Sequence, residues 1–275
     1  MGRRARVEPV PGEPAAVART GAGRVLVVAD VHAGIEVGLR YERGVELESA
    51  ADARLERLRA LLDRTTPDRL LVLGDLVHRI GRPDGAEADE LAAIVDAVTE
   101  RVPMTLVPGN HDGSLDEVVD ERGLPLEKAD ATGLRLGSVG FVHGHTWPAA
   151  DVLGAEVVCM GHEHPTVRLE DEVGGSRVEK AWLRGTLRKE VFEAREGVDD
   201  RGDGDTDDGG SSGVQQRTLG EATELVVHPA FNERSGGTWV NVEGQAFLSP
   251  FLPDALPDGE LYLLDGTRLG HYRRV

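Results

Sequence analysis

The sequence predicts an α/β protein in which helices flank two mixed β-sheets that pack face to face. Between residues 24 and 107, apolar strand-like runs alternate with helical segments, a pattern typical of parallel strands. From about residue 124, short strand-like runs follow one another closely, which indicates a more antiparallel half. Two facing sheets with helices outside accommodate both halves, and a chain of 275 residues with 40% hydrophobic residues can bury a sizeable core.

The elements follow in order along the chain. In the first half, apolar runs predict strands at 24–29, 69–73 and 104–107, and helical spacing of Leu, Ile and Val predicts helices at 49–64 and 86–100. In the second half, strands are predicted at 134–136, 139–143, 156–160, 166–169 and 177–182. A C-terminal β-rich extension begins at about residue 222, with strands at 224–228 and 261–264. We expect one domain over residues 1–275 with no internal repeat.

One segment interrupts this pattern. Residues 196–213 hold seven acidic residues, one arginine and almost nothing apolar, which predicts a disordered surface insertion. Its Asp spacing resembles a calcium-binding loop, but the glutamate at the twelfth position and the flanking helices of such a loop are missing. We therefore do not expect calcium binding there.

The charge of the chain is strongly acidic, at −18, and only three of the 31 basic residues are lysines. This balance is typical of a proteome adapted to high intracellular salt, where screening weakens self-repulsion. An acidic protein from a GC-rich genome is the alternative, and both stay open. The acidity argues against a broad nucleic-acid-binding face, although metal ions can supply positive charge locally.

Cysteine content and hydropathy limit the remaining classes. The single cysteine, Cys159, excludes an internal disulfide and predicts a small buried strand residue. No apolar run reaches the length of a membrane span, and no apolar segment follows the N-terminal Arg3-Arg4 pair, so we expect a cytoplasmic protein.

Five short segments carry the chemistry, and each follows an apolar run. They are Asp30-Val31-His32, Gly74-Asp75, Gly109-Asn110-His111-Asp112, His143-Gly144-His145 and Gly161-His162-Glu163-His164. Asp, His and Asn side chains in this mixture suit two adjacent divalent metal ions. A two-metal site that activates water indicates a hydrolase, most often of phosphate esters.

Strand geometry suggests how these side chains meet. Asp30, Asp75 and Asn110 each follow a predicted parallel strand, and the carboxyl ends of such strands lie side by side. Asp30 and His32 are two residues apart, so in extended backbone both would point the same way, as would His162 and His164. Asp75 can bridge two ions through its two oxygens. The predicted ligand set is Asp30, His32, Asp75, Asn110, His143, His162 and His164.

Histidines outside this set receive other predictions. Seven of the nine histidines fall in or beside the five segments, which is hard to reconcile with chance placement. We expect His145 to support the site or to face the substrate. His228 and His271 receive no role.

The five segments, in this order, resemble the calcineurin-like metallophosphoesterase superfamily. The resemblance implies a four-layer α-β-β-α sandwich with two metal ions, manganese first, with iron or zinc as alternatives. By matching motif positions, one ion would take Asp30, His32 and His164, the other would take Asn110, His143 and His162, and Asp75 would bridge them.

A narrower resemblance covers most of residues 24–270. Residues 29–34, 73–78, 229–232, 248–250 and 265–270 are similar to the ICC-like phosphoesterases, which include DNA-ligase-associated enzymes. This implies a DNA substrate, single-stranded or damaged, and DNA-repair proteins as partners. Together with the charge it suggests a haloarchaeal origin.

The resemblance also implies a mechanism. The ions would lower the pKa of a bridging water, whose hydroxide attacks phosphorus in line. His111 would protonate the leaving oxygen or stabilise the transition state. Many superfamily members have Asp where this chain has His78, and that Asp orients the histidine that matches His111. We expect either a weaker hold on a protonated His111 or replacement by another acid such as Asp112, with His78 otherwise a supporting group.

Three functions remain open at this point. The first is a metal-dependent phosphodiesterase, with nuclease activity implied by the subgroup resemblance alone. The second is a phosphomonoesterase or small nucleotide phosphodiesterase, which the acidic surface favours. The third is a regulatory subunit that binds partners through an idle site, against which the intact ligand set argues.

Overall fold

Two β-sheets form the centre of the fold, and the first has six strands. The computed structural model describes residues 6–171, 173–199 and 223–275. The first sheet contains β1 (Arg6–Pro9), β2 (Ala15–Thr20), β3 (Gly23–Ala29), β4 (Arg69–Leu73), β5 (Met104–Val107) and β6 (Leu126–Lys128), side by side in that order. The β1–β2 and β2–β3 pairs are antiparallel, whereas β3 to β6 run parallel, as the strand–helix alternation predicts.

The second sheet has eight strands. They are β7 (Leu134–Leu136), β8 (Val139–Val142), β9 (Val157–Met160), β10 (Thr166–Glu170), β11 (Ser176–Thr186), β12 (Glu224–Val227), β13 (Gly259–Leu263) and β14 (Arg268–His271). Their order is β14-β13-β11-β12-β9-β8-β7, with β10 paired to β11. Most pairs are antiparallel, as expected, but β8, β9 and β12 are mutually parallel.

Helices cover the outer face of each sheet. They are α1 (Ile35–Arg43), α2 (Ala51–Thr65), α3 (Gly85–Thr99), α4 (Leu115–Arg122), α5 (Ala150–Leu153) and α6 (Glu190–Asp199). Residues of α2, α3 and α4 share one apolar cluster with the first sheet, and residues of α5 and α6 share another with the second. A third cluster joins the inner faces of both sheets, including Leu71 and Phe141. The layers are therefore α-β-β-α, and the predicted fold class is confirmed.

The structure also bears on the predictions for Cys159 and for the acidic insertion. Cys159 is fully buried in β9, as expected. The backbone of α6 extends over residues 196–199 of the predicted acidic insertion, and residues 200–213 lie outside the described residues. Within the described ranges, no helix is both long and apolar enough to cross a membrane.

A buried ion network holds the loop after β3 against the helices. Arg54 of α2 forms hydrogen bonds of 2.7 to 2.8 Å with Glu36 of α1 and Glu90 of α3. Glu90 also accepts a 2.8 Å hydrogen bond from the backbone amide of Gly34. Removal of one member would leave a buried charge uncompensated, so the network is costly to break. Through Glu90 it holds the backbone at Gly34, two residues after His32.

Candidate metal centre

The loop after β3 carries Asp30 and His32 in a backbone conformation that L-residues rarely adopt. Their φ angles are 56° and 47°, in the left-handed region. Contrary to our expectation, the backbone here is therefore not extended, although the ligand atoms of Asp30 and His32 still belong to one group within 4.8 Å. Backbone hydrogen bonds from Asp30 to Gly74 (3.2 Å) and from His32 to Asp75 (2.8 Å) hold this conformation against the end of β4. Such strain concentrates at functional sites.

The same correction applies to the loop after β9. His162 and His164 have φ of 68° and 43°, so they do not alternate as in a strand. The structure places them in different groups of metal-binding atoms, His164 beside Asp30 and His162 beside His143. Between them, Glu163 is fully buried.

Two groups of donor atoms meet at Asp75, which also has a left-handed φ of 48°. In each group the ligand atoms lie within 4.8 Å of one another, and the groups are Asp30, His32, Asp75 and His164, and Asp75, His143 and His162. Oδ2 of Asp75 lies 3.9 Å from Nε2 of His32, whereas Oδ1 lies 3.5 Å from Nε2 of His143. The oxygens of one carboxylate thus face different groups. Asn110 adds its Oδ1, 3.2 Å from Nε2 of His143.

The histidine rings are fixed by contacts to backbone carbonyls. Nδ1 of His143 donates to the carbonyl of Leu73 at 2.9 Å, and Nδ1 of His164 donates to the carbonyl of Gly236 at 2.7 Å. A metal-binding histidine commonly donates its second nitrogen in this way, which sets the tautomer and leaves Nε2 free for the ion. The ring orientations therefore suit metal binding.

Burial and the charge of Asp30 divide the histidines into two kinds. Burial lowers the pKa of His143 to about 3 and that of His162 to about 4. Burial also disfavours a charged His164, but the Asp30 carboxylate at 3.2 Å outweighs it and raises the pKa of His164 to about 9. At neutral pH, His143 and His162 are ready to bind a cation, whereas His164 must first lose a proton.

The two central carboxylates respond in opposite directions. Burial raises the pKa of Asp75, and the negative charges of Asp30 and Asp112 add to that effect. Burial also acts against ionised Asp30, but His164 and the neighbouring histidines lower its pKa below the usual value. Buried carboxylates this close favour a cation between them, so the donor set fits divalent metal ions.

His111 is oriented by the backbone of residue 78. Its Nδ1 forms a short hydrogen bond with the carbonyl oxygen of His78, and its Nε2 lies 3.8 Å from Oδ2 of Asp75. The ring of His78 instead faces His32, with 3.5 Å between the two Nδ1 atoms. His32, His78 and His111 thereby form a third cluster of potential ligand atoms within 4.8 Å.

Asp112 and His145 lie at the border of the centre. Asp112 is fully buried and accepts hydrogen bonds from the backbone amides of Gly109 (2.8 Å) and Leu76 (3.0 Å), so it ties together the loops after β4 and β5. His145 is half-buried, with its ring centroid 5.3 Å from that of His143. Among the described residues, Nδ1 of His145 has no hydrogen-bond partner.

Sequence reasoning missed several residues that contact the ligand loops. Asn232 is fully buried and donates to the carbonyls of Val31 (2.8 Å) and His32 (3.2 Å). Glu163 accepts hydrogen bonds from the backbone amides of Leu248 (3.1 Å) and Ser249 (2.7 Å). The only signals were the position of Asn232 within a segment that carried the subgroup resemblance and that of Glu163 within one of the five motif segments.

A family model matches residues 23–186 to the calcineurin-like phosphoesterases, which is more than half of the chain. The chain belongs to this family. The matched range contains every clustered residue from Asp30 to His164, and it ends before β12, β13 and β14. Metal dependence and hydrolysis of phosphate esters are properties of the family.

A solved structure resembles this calcineurin-like phosphoesterase over nearly its full length. The crystal structure of Pseudomonas putida nuclease MPE aligns over 94% of this chain and 98% of that chain, at 20% identity and a TM-score of 0.51. At this identity the likeness shows the fold alone. An Aquifex aeolicus protein of unknown function, AQ665, covers 50% of this chain and 77% of that chain at 18% identity, but its TM-score of 0.35 carries no argument.

A curated protein matches over a shorter stretch. The tRNA modification GTPase MnmE of Geobacter metallireducens is 33% identical over 91 residues, which are 33% of this chain and 20% of the GTPase. This phosphoesterase therefore spans a fifth of that relative's length. The nucleotide-binding P-loop motif ends in Gly-Lys followed by Ser or Thr. None of the three lysines of this chain follows a glycine, so the sequence does not contain that motif.

Proposed function

We propose that this protein is a two-metal phosphodiesterase that cleaves single-stranded or damaged DNA. The position of Asp75 carries the proposal. Its Oδ2 faces His32 at 3.9 Å, and its Oδ1 faces His143 at 3.5 Å, so one buried carboxylate connects two groups of donors. A carboxylate in this position can bridge two ions.

The assignment of ligands follows the two groups. One ion would be held by Asp30, His32 and His164, the other by His143 and His162 together with Asn110, which lies beside His143, and Asp75 would lie between them. Carboxylate and amide oxygens mixed with imidazole nitrogens suit manganese, iron and zinc, and we propose manganese as the working ion. When bound, such a pair supplies Lewis-acid charge to phosphate oxygens and activates water.

We assign proton transfer to His111. The carbonyl of His78 accepts a hydrogen bond from Nδ1 of His111, and Nε2 of His111 lies 3.8 Å from Oδ2 of Asp75. The side chain of His111 is 19% exposed, so a substrate can reach it. We assign it to protonate the leaving oxygen of the ester. Asp112 keeps the loop that carries His111 in place, and His145 faces the substrate beside His143.

The nucleic-acid substrate rests on the subgroup resemblance and on the nuclease that shares the fold. The net charge of −18 favours the second candidate, a small nucleotide or monoester substrate, because no broad cationic face is expected. DNA-repair partners and a high-salt cellular environment complete the proposal.

A substrate panel tests it. We expect the manganese-loaded protein in high KCl to hydrolyse a nitrophenyl phosphodiester and single-stranded DNA faster than a nitrophenyl monoester. A faster monoester reaction, with no cleavage of DNA, would support the second candidate instead.

Substitution of the bridging residue tests the role of the centre. Asp75→Asn is expected to lower kcat about 10²–10³-fold, by analogy with the loss of a preorganised transition-state contact. The matched control is Asp116→Asn, at an exposed carboxylate paired with Lys128 at 2.7 Å. If Asp75→Asn retained full cellular function, the regulatory-subunit interpretation would replace the enzymatic one.

A further inference from the structure

The chain beyond the family match returns to the ligand loops. Residues 231–238, here called the support segment, follow β12 and lie outside the matched range 23–186. The amide of Phe231 donates to the carbonyl of Ala29 at 2.7 Å, at the last residue of β3. The support segment therefore begins where the Asp30 loop begins.

Asn232 contacts three consecutive carbonyls of that loop. Its backbone amide donates to Asp30 at 3.2 Å, and its side-chain Nδ2 donates to Val31 at 2.8 Å and to His32 at 3.2 Å. Its Oδ1 accepts a 2.7 Å hydrogen bond from the amide of Arg234, which defines the orientation of the side-chain amide. A fully buried carboxamide has the two donors and one acceptor that this position needs, whereas a carboxylate has no donor.

The other end of the support segment contacts His164. The carbonyl of Gly236 accepts the hydrogen bond from Nδ1 of His164 at 2.7 Å. At Gly237, a β-carbon would overlap the carbonyl oxygen of His164 and lie 2.7 Å from Cγ2 of Thr166. Only glycine permits this close approach. At Gly236, a β-carbon would meet nothing within 4 Å.

A half-buried lysine fixes the start of the support segment. Nζ of Lys180, on β11, donates to the carbonyls of Ala230 (2.9 Å) and Asn232 (2.8 Å) and pairs with Glu233 at 3.0 Å. Burial lowers the pKa of Lys180. This anchor connects the support segment to β11 of the second sheet.

These contacts concern one of the two donor groups. They hold the backbone of Asp30 and His32 and the ring of His164, whereas the ring of His143 is held by Leu73 of β4. Thr238, at the end of the support segment, contacts Glu163, which lies between His162 and His164, so the segment reaches the second group only through a neighbouring residue. We propose that the support segment is a positioning element for the ion bound by Asp30, His32 and His164, and that the ion at His143 and His162 depends on it much less. This inference rests on the proposed two-metal function.

Two pairs of variants test the inference. Asn232→Asp replaces the donors that hold the Asp30 loop, and Asn241→Asp is its control, because the Asn241 side chain also donates to and accepts from the backbone, in this case of Arg168, at 2.8 and 3.0 Å. Gly237→Ala introduces the overlap with His164, and Gly236→Ala is its control. If Asn232→Asp does not fold, Gly237→Ala decides, since it removes no hydrogen-bonding group.

Manganese binding is measured by calorimetric titration of each metal-free protein, together with the metal content after dialysis. We expect wild type and both controls to bind two ions per chain. Asn232→Asp and Gly237→Ala should bind one ion with wild-type affinity and the other about 10–100-fold more weakly, the usual effect of losing such a contact. Folded variants that bind both ions with wild-type affinities, or that weaken both equally, would overturn the inference. A wild type that binds fewer than two ions would overturn the proposed function, and this inference with it.

Discussion

His78 presents its backbone carbonyl oxygen, not its side chain, to Nδ1 of His111. The acceptor that we expected from a carboxylate at this position is here a main-chain carbonyl, which every residue type supplies. The side chain of His78 is free for a different contact, with Nδ1 of His32 at 3.5 Å. The hydrogen bonds of Asp112 go to backbone amides of the loops after β4 and β5, which it holds together.

Substitutions at residues 78 and 111 should have unequal effects. Since the acceptor is a backbone carbonyl, His78→Ala should leave His111 oriented and lower kcat less than tenfold, an order-of-magnitude expectation. His111→Ala should lower kcat about 10²–10⁴-fold, the usual value of a general acid. Equal losses in steady-state kinetics with a nitrophenyl diester would contradict the assignment.

A carboxylate at position 78 should change the pH dependence. In His78→Asp, a negative charge close to the His111 ring would stabilise its protonated form. We expect the basic limb of the pH–rate profile to move to higher pH than in wild type. An unchanged profile in both limbs would show that the side chain at this position has no influence on proton transfer.

The metal-free protein should be most stable near pH 6.5. Burial lowers the pKa of His143 and His228 to about 3 and that of His162 to about 4, from 6.5, so the unfolded chain binds more protons and stability falls as the pH drops below 6.5. The pKa of His164 is raised from 6.5 to about 9, so its stabilising contribution is complete below pH 6.5 and is lost as the pH rises through 9.

Thermal unfolding in a chelator between about pH 4 and pH 10 measures this stability profile. The midpoint should pass through a maximum and then decrease between pH 6.5 and 9. The raised pKa of Asp75, about 8, also makes stability fall as the pH rises over this interval. A midpoint that stayed constant or rose there would contradict the raised pKa values of both His164 and Asp75.

Gly109 should tolerate no side chain. A β-carbon there would overlap Oδ1 of Asp75 and lie 2.9 Å from Nε2 of His143, whereas at Gly113, in the same loop, it would meet nothing within 4 Å. Gly109→Ala should therefore weaken manganese binding about 10–100-fold, and Gly113→Ala should not. Calorimetric titration compares the two, and similar affinities would refute the close contact.

Salt should stabilise the protein. With a net charge of −18, self-repulsion is strong at low ionic strength, and the screening length falls from about 10 Å at 0.1 M to about 3 Å at 1 M salt. The thermal midpoint is expected to rise over this range of KCl more than with an uncharged osmolyte of equal osmolality. A midpoint that is highest at low salt would count against adaptation to high salt.

The sequence allowed much of the fold and the gathering of the site to be predicted. Strand ends place Asp30, Asp75 and Asn110 together because parallel strands share an edge, and this depends only on apolar runs and short spacings. The first two strands, β1 and β2, were not predicted, since Pro9 and the Ala15-Ala16 pair give a weak strand signal. Helix α1 was missed for a similar reason, because Gly38 and charged residues interrupt its apolar pattern.

Other features depend on contacts that no local pattern reports. The left-handed backbone at Asp30 and His32 is held by hydrogen bonds to the distant residues Gly74 and Asp75, so residue type alone suggested extended chain. Asn232 reaches Val31 across 201 positions of sequence, and a lone asparagine in a loop carries no sign of such a contact. Tertiary structure was needed to distinguish it from a surface residue.

The central claim is that one chain holds two ions joined by Asp75. Electron paramagnetic resonance of the manganese-loaded protein tests it most directly, because two ions that share a carboxylate are magnetically coupled. The account predicts two Mn²⁺ per chain with a coupled spectrum in wild type, and loss of the coupling in Asp75→Asn. A wild-type spectrum of isolated Mn²⁺, or one ion per chain at saturation, would contradict it.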